Sequence, residues 1–346
     1  MGAQDQIIVT TDELRDVAAA ALLRVGCDEA HARAAAQVLA RAEEDGCSSH
    51  GLFRLPGFLA ALKCGKAKGD VAPDVTRLAP GVIRIDGRRG LSPLATEVAR
   101  QVLAPLARAN GVAAAAIANV HHFSALWVDI EPLVEQGLGA LICTAYVPFV
   151  APAGASQRFF GTNALAFGFP GADAFIFDQA SAATARGELQ IAARDGLLAP
   201  EGAGVGPDGT PTRDPLAILA GAQSPFGGHK GSSIALMVEL LAGVLIGQPT
   251  SPEAGREESS RGALEDTGPP NGGVFLLAFD PEKFGDSTGW RGHAASFFSE
   301  LRSLPGVRLP GDRRRAERAR IAREGATIPR DLWIQALTAA GRSMAD

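Results

Sequence analysis

The chain has 346 residues, 46% of them apolar and 21% charged, with a formal net charge of −5 and a pI near 5.8. That length fits two domains or one large one around a sizeable core, and the acidic balance without a dominating basic face excludes a nucleic-acid surface. Cys27, Cys47, Cys64 and Cys143 form no CxxC pair, Met1–Thr10 lacks the build of a signal peptide, and the most apolar run, Ile234–Ile246, contains Glu239 and is too short to span a bilayer; together these point to the cytoplasm.

Ile7-Ile8-Val9 reads as a short strand. Thr10 with Glu13 forms a capping box that opens a helix to about Val25, where Gly26 stops it. Asp28 caps a second, alanine-rich helix over 29–44, ended by Asp45-Gly46. A third apolar run, Leu52–Leu62, carries Pro56 near its start, where proline is tolerated. From Asp70 to Asp86 the pattern is extended, and Leu94–Arg108 returns to helical spacing. Val112–Val120 is a continuous apolar run of strand length, followed by a helix over 129–136 and a buried strand over 138–144. Strand-and-turn character continues through 161–170 and 175–178. Gly231–Ile246 predicts one long buried helix, 273–279 a strand and 296–304 a helix. The polar stretch 248–273, rich in Pro, Glu, Ser and Gly, predicts a surface loop.

Chemistry first suggests itself at Asp45–Arg54, where a hydroxyl, an imidazole and a guanidinium fall within a few residues. If Ser49 opens the third helix, His50 and Arg54 stand at i and i+4 on one face, where one small acid could meet both. The plainer reading is a capping serine beside surface side chains. Cys47, close to His50, offers a thiol nucleophile with no second cue to support it.

Gly204-Val205-Gly206-Pro207-Asp208-Gly209 matches the dinucleotide pattern GxGxxG only in letters. No strand precedes it, and Pro207 and Pro211 make turns where a helix should begin, so it offers no helix N-terminus to a pyrophosphate. The cluster His121–Trp127 follows a buried strand, a position that lines crevices in α/β proteins; a histidine pair bonded to backbone carbonyls is the alternative. Phe226–Ser232 opens the predicted long helix, and Lys230, one of five lysines, sits at its start. A cation there opposes the helix dipole unless an anion binds, which suggests phosphate. Arg313–Arg315 begin a basic helix whose default reading is a solvated face and whose sharper one is a 2′-phosphate partner. The six histidines show no metal-ligand spacing, so no metal is expected.

With these residues in view, the chain resembles the type-2 malate/L-lactate dehydrogenase superfamily, which is not built on the Rossmann fold, and within it the Δ1-piperideine-2-carboxylate/Δ1-pyrroline-2-carboxylate reductases. The stretches that carry the resemblance are DGCSSHGLFRLPGFL, HHFSALWVDIEPLVEQGL, FGTNALAFGFP, LQIAARDG, PFGGHKGS and RLPGDRR, from Asp45 to about Arg315. The resemblance implies an α/β (α+β) chain: a nicotinamide-binding domain on a largely antiparallel sheet, over 116–304, beside a helical, dimerising region from both ends, 1–115 with 305–346. It implies a homodimer, NADPH (or NADH) as hydride donor, and a small imino or 2-oxo acid as substrate. Cyclic ketimine acids would be reduced to L-pipecolate and L-proline; reductive N-alkylation of 2-oxo acids is a related activity. A 2-hydroxy-acid dehydrogenase and a silent NADPH-binding homologue are the alternatives.

Carried over by position, His50 would be the proton donor and Ser49 its relay partner, with Glu188 completing the relay. Arg54, Thr162 and Arg186 would meet substrate. His122, Phe123, Ser124, Ala125 and Leu126, then Asp178, Gln179 and Ala180, then Gly228, His229 and Lys230, and finally Arg308, Leu309, Pro310, Gly311, Asp312, Arg313 and Arg314, would contact the cofactor. Two departures stand out. Arg186-Gly187-Glu188 occupies the place of a His-Gly-Asp motif, with one more methylene on the acid and a fixed positive charge. Gln179 and Ser181 replace residues of a Leu-Ala-Thr pattern.

Overall fold

The computed structural model describes residues 5–121, 125–172, 174–260, 271–285 and 289–344. Strand β1 (Gln6–Val9) pairs antiparallel with β12 (Ala326–Pro329), Ile7 facing Ile328, so the two ends of the chain close one helical layer. The capping box forms as the sequence predicts: Thr10 Oγ accepts from Glu13 N at 3.2 Å, and Glu13 Oε2 accepts from Thr10 N at 2.8 Å, opening α1 (Thr11–Arg24). Asp28 Oδ1 likewise accepts from His31 N at 2.8 Å and opens α2 (Glu29–Glu44). Small alanines on α1 and α2 bring these helices close. Around them Leu14, Leu22, Leu39 and Leu52 pack with Phe58 of α3 (Leu55–Lys63) and Trp333 of α12 (Arg330–Ala340).

The second layer is a seven-stranded sheet in the order β2-β3-β4-β11-β5-β6-β7. Its strands are β2 (Asp74–Ala79), β3 (Val82–Leu91), β4 (Val112–His121), β5 (Gly139–Thr144), β6 (Ala164–Phe169), β7 (Phe175–Gln179) and β11 (Asn271–Phe279). Only β3 and β4 run parallel, joined by the crossover helix α4 (Ser92–Asn110); every other pair is antiparallel. The first 115 residues thus supply two of the sheet's strands. On central β11, Leu276 lies between Ala115 and Ile142 and is fully buried. Helices α4 and α5 (Leu126–Glu135) cover the apolar face. The architecture is α+β and unlike a doubly wound parallel sheet.

The remaining elements frame a cleft: α6 (Arg186–Asp195), a small sheet of β8 (Gly204–Val205), β9 (Pro211–Thr212) and β10 (Ala222–Gln223) with α7 (Pro215–Ala220), then α8 (His229–Val238), α9 (Ser251–Ser260), α10 (Gly289–Ser303) and α11 (Asp312–Glu324). The GxGxxG letters fall on β8 and the turn to β9, where Gly206 N donates to Thr210 O.

Three expectations are corrected. The polar stretch after Gln248 is not all loop: α9 forms there because Thr250 N donates to Glu253 Oε2 at 2.8 Å in a capping arrangement, and Ser251 is fully buried. The predicted long buried helix is α8 followed by a π-helical turn, Glu239–Val244, and it is buried on one side only, with Leu236, Leu240 and Val244 exposed. The Ser49–Arg54 stretch is not α-helical. Among the described residues, no helix is long and apolar enough to cross a membrane.

Candidate active site

Between the end of α2 and the start of α3 the chain makes two 3₁₀ turns, Ser48–His50 and Leu52–Arg54, hinged at Gly51. Glu43 is the cause. It is only 3% exposed, accepts from Leu52 N at 2.8 Å and from Ser48 Oγ at 3.0 Å, and so holds both ends of the Ser49–Gly51 segment. A Cβ at residue 51 would overlap Glu43 Oε1, so only glycine passes the carboxylate. Burial pushes the Glu43 carboxyl up from its ordinary value, and its two hydrogen bonds oppose that shift.

His50 and Arg54 therefore meet through a folded turn. Ser49 Oγ lies 3.1 Å from His50 Nδ1, and Arg54 Nε donates to the Ser49 carbonyl at 2.6 Å. The imidazole meets Trp127 edge to face, centroids 5.6 Å apart. Burial, with the Arg54 charge adding to it, lowers His50 to about 4, so the ring is neutral at neutral pH. Cys47 donates to the Asp45 carbonyl at 3.6 Å, and burial pushes its thiol up; a protonated, inward-tied sulfur is not a nucleophile.

Trp127 is fixed from behind. Its Nε1–H donates to Asp45 Oδ2 at 2.7 Å, and Arg318 of α11 binds both Asp45 oxygens at 2.8 and 3.0 Å. Arg318 also reaches Glu131, which Arg41 holds at 2.8 Å. Asp178, at the end of β7, accepts from Trp127 N at 3.1 Å and so caps α5 from outside, where Ala125 has no side chain to do so. Desolvation raises Asp178 to about 6.

The opposite wall is α6. A Cβ on Gly187 would lie 3.0 Å from Arg54 Nη2 and 3.2 Å from Ser49 Cβ, so glycine lets the helix touch the turn. Arg186 stacks on Phe149, its Cζ 3.6 Å from the ring centroid. Glu188 lines the cleft but is exposed, and no hydrogen bond or ion pair ties it to His50. Thr162 precedes Asn163, whose φ of 40° is held by a buried network: Asn163 Nδ2 donates to Glu239 Oε1 at 2.7 Å, and Glu239 Oε2 accepts from Ser251 N at 2.8 Å.

The cleft so enclosed measures about 1710 Å³ and is lined by Ser49, His50, Arg54, Thr162, Asp178, Gln179, Ala180, Arg186, Glu188, Arg313 and Arg314, among others. Of the remaining sequence-derived candidates, Ala125 and Leu126 are buried behind it. Gly228, His229 and Lys230 are exposed at the start of α8, while Arg308, Leu309, Pro310 and Gly311 lead into α11 and Asp312 opens it, outside the lining. His122, Phe123 and Ser124 lie outside the described residues.

The model of the malate/L-lactate dehydrogenase family matches residues 9–336. The chain belongs to that family. It is 45% identical to a Δ(1)-pyrroline-2-carboxylate reductase of Ancylobacter novellus over 91% of this chain and 92% of the relative. It is also 45% identical to a Δ(1)-pyrroline-2-carboxylate/Δ(1)-piperideine-2-carboxylate reductase of Pseudomonas aeruginosa, over 96% and 98%. The crystal structure of Δ1-piperideine-2-carboxylate reductase from Pseudomonas syringae pv. tomato superposes with a TM-score of 0.90 at 39% identity, covering 96% of this chain and 99% of that one. The enzyme is a nicotinamide-dependent oxidoreductase acting on a small molecule.

The cleft fits a nicotinamide dinucleotide. Its volume exceeds the ~300–1,000 Å³ common for a single small ligand, and Arg313 and Arg314 bring cations to its rim at the start of α11, where positive charge opposes the helix dipole unless an anion is near. Sequence reasoning missed Glu43, Asp45, Trp127 as a bearing for His50, Phe149, and all of α9, whose Pro252, Gly255, Arg256, Glu258 and Ser259 line the cleft. Only Phe149, an aromatic amid Pro and Val after a buried strand, carried a local signal; the others are named by contacts distant in sequence.

Proposed function

We propose that the enzyme reduces cyclic ketimine carboxylates, Δ1-piperideine-2-carboxylate and Δ1-pyrroline-2-carboxylate, to L-pipecolate and L-proline with NADPH, as a cytoplasmic homodimer. The observation that carries this reading is the joining of His50 and Arg54 in one turn facing the cleft, in a chain whose 45%-identical relatives bear the names of these reductases. Bound NADPH supplies hydride to C2 of the imine.

Arg54 pairs with the substrate carboxylate, a charge-assisted hydrogen bond of roughly 1.5–3 kcal/mol, and Thr162 bounds the same space. Pairing fixes which face of the C=N bond is presented. It also cancels the Arg54 charge that His50 feels, and that raises the imidazole toward its ordinary value. With substrate bound, Ser49 relays a proton from solvent to Nδ1, and the imidazolium so formed donates its other N–H proton to the ring nitrogen as the C=N π pair becomes the nitrogen lone pair, which leaves His50 neutral again. Such assistance is worth ~10²–10⁴ in rate. Glu188, at the cleft surface, turns toward the imidazolium when that charge forms. Ordering of this kind is common where an apo site tightens around substrate. Arg313 and Arg314 favour NADPH over NADH by meeting the 2′-phosphate. The exposed stripe Leu236, Leu240 and Val244, one residue per turn of α8 and its π continuation, supports a second copy as its cover.

A panel of both cyclic ketimines, pyruvate, oxaloacetate, and pyruvate with methylamine, followed by loss of NADPH or NADH absorbance, tests the reading. Preference for the ketimines with NADPH is expected. Preference for plain 2-oxo acids would make the enzyme a 2-hydroxy-acid dehydrogenase, and cofactor binding without turnover on any acid would make it a silent homologue. Light scattering after gel filtration tests the dimer.

A further inference from the structure

Glu239, nearly buried behind the cleft wall, is an acid that none of the steps above uses. It opens the π-helical turn that follows α8, and such widened turns are frequent at functional sites. Its two oxygens are committed in different directions. Oε1 accepts from Asn163 Nδ2 at 2.7 Å, and Oε2 accepts at 2.8 Å from Ser251 N, the first N–H of α9. A carboxylate there also meets the positive end of a helix dipole.

The amide of Asn163 can face only one way. Its Oδ1 accepts from Tyr146 N at 3.2 Å and from Ser251 Oγ at 3.3 Å, while its Nδ2 donates to the Ala235 carbonyl at 3.1 Å as well as to Glu239. Turning the amide over would set Nδ2 against the Tyr146 N–H. Asn163 and Ser251 are fully buried, so water cannot make good a lost partner. A glutamine at 239 would serve less well than the acid. It has one acceptor oxygen for two N–H donors, and its own NH2 would face one of them.

This acid thus ties together three segments that line the cleft: Tyr146, Thr162, and α9 through Pro252 and Gly255. Thr162 is the one whose chemistry is left open. Its carbonyl accepts from Ser181 N at 2.7 Å, and Asn163 beside it is held at a φ of 40°. Among the described residues its hydroxyl has no hydrogen-bond partner. A fixed backbone carrying a free hydroxyl at a cleft wall is organised in advance for a ligand.

We propose that Glu239 is a positioning residue of the reaction: through Asn163 it holds the Thr162 hydroxyl where the substrate carboxylate on Arg54 meets it. The proposal rests on the reading above that Arg54 anchors the acid beside Thr162. Contact with the carboxylate is made in the bound substrate as well as in the transition state, so loosening it acts on KM more than on kcat.

The test measures KM and kcat for the ketimine acid, and the dissociation constant of NADPH, in Glu239→Gln, Thr162→Val, the double variant and Glu253→Gln. Glu253 is the control, because it caps α9 through Thr250 from the exposed side without touching Asn163. Glu239→Gln and Thr162→Val should each raise KM by about tenfold, as the loss of one charge-assisted hydrogen bond implies, with kcat and NADPH binding within a few-fold. The double variant should be little worse than either single one, because Glu239 acts through Thr162. Glu253→Gln should lower the melting temperature and leave KM at the wild-type value. Ser251→Ala removes only the hydroxyl that joins Asn163 Oδ1 to Gly161 N; it should raise KM a few-fold, and it decides the matter if Glu239→Gln does not fold. A wild-type KM in Glu239→Gln, or in Ser251→Ala where that variant stands alone, overturns the assignment. So do additive losses in the double variant, or an equal rise of KM in Glu253→Gln. If the wild type ignores both ketimines and reduces a plain 2-oxo acid, the ketimine reading fails, and the same comparison on that acid still decides Glu239. If it turns over no acid, the dissociation constant of the saturated amino acid with NADP+ bound takes the place of KM.

Discussion

Trp127 Nε1–H donates to Asp45 Oδ2 at 2.7 Å, across 82 positions of sequence, and the indole thus held is the surface on which His50 rests. Asp45 is fully buried and also binds Arg318, so it is both an anchor for the active-site aromatic and one end of an ion-pair chain to Glu131 and Arg41. Asp45→Ala should cost about 3 kcal/mol in urea unfolding, the low end of the range for breaking a buried pair, because Arg318 retains Glu131. Trp127→Phe keeps a ring beside His50 and loses one hydrogen bond, so it should cost nearer 1 kcal/mol from that bond. Equal costs for the two variants would show that the indole bond, not the ion pair, carries the stability.

Two titrations oppose each other between pH 4 and 6.5. His50 is depressed to about 4 in the folded chain, so as pH falls below 6.5 the unfolded state takes up a proton that the folded state refuses, and stability is lost down to pH 4. Asp178 is raised to about 6, so as pH rises from about 4 the unfolded state ionises first, and stability is lost up to pH 6. Each shift corresponds to about 3 kcal/mol at full extent. The two slopes nearly cancel in the wild type. His50→Gln should therefore make stability fall with rising pH across 4–6 relative to wild type, and Asp178→Asn should make it rise. Parallel curves for all three proteins would refute both assignments.

Arg54 adds to the depression of His50, so Arg54→Met should raise the His50 titration point, read from the imidazole Cε1–H resonance against pH. The same variant should lose roughly 10–100-fold in kcat/KM through the missing carboxylate contact. A lost rate with an unmoved titration would separate substrate anchoring from proton control.

Gly187→Ala places a methyl 3.0 Å from Arg54 Nη2 and 3.2 Å from Ser49 Cβ. Residue 187 is the second residue of α6, and alanine suits a helix, so the backbone gains while the guanidinium must yield. The expected result is an unchanged or slightly higher melting temperature with kcat/KM lower by about tenfold, a displacement effect of the kind that costs rate without costing fold. A fall in melting temperature matching the fall in rate would point to general disruption.

Much of the frame was legible because local rules made it so. Thr10–Glu13 and Asp28 capped helices where the letters placed them, and the apolar run after Gly111 became β4. The errors have particular causes. Glu43, nine residues before Leu52, overrode the helix expected at Ser49, because a buried carboxylate collecting two donors outweighs i, i+4 spacing. Helix α9 was hidden in a polar, Pro- and Gly-bearing stretch; its formation depends on Ser251 meeting Glu239 and Asn163, and on Glu258 meeting Lys66. Within the site, Ser49, His50 and Arg54 stand out as a hydroxyl, an imidazole and a guanidinium within a few residues, whereas Thr162 is named only through the family resemblance. Their supports were not legible, since Glu43, Asp45 and Trp127 act through tertiary contacts that no spacing records.

Glu43 is the support whose removal should be most telling. It is buried, its carboxyl is pushed up by that burial, and it holds Ser48 and Leu52 on either side of the residues that would move the proton. Glu43→Gln retains an acceptor for Leu52 N–H, and the Ser48 hydroxyl can rotate to accept from the new amide, so both contacts persist without a charge to desolvate. That variant should lie within about 1 kcal/mol of wild type in urea unfolding, because the lost charge-assisted bonds and the lost desolvation cost oppose each other. Glu43→Ala leaves the Leu52 N–H and the Ser48 hydroxyl without their acceptor and opens space beside Gly51, for which about 2–4 kcal/mol is expected. In kinetics the alanine variant should lose mainly kcat, about tenfold or more, since Ser49 and His50 drift while the Arg54 charge remains, whereas the glutamine variant should stay within a few-fold. If the alanine variant instead raised KM with kcat intact, the turn held by Glu43 would serve Arg54 and substrate placement rather than His50 and the proton.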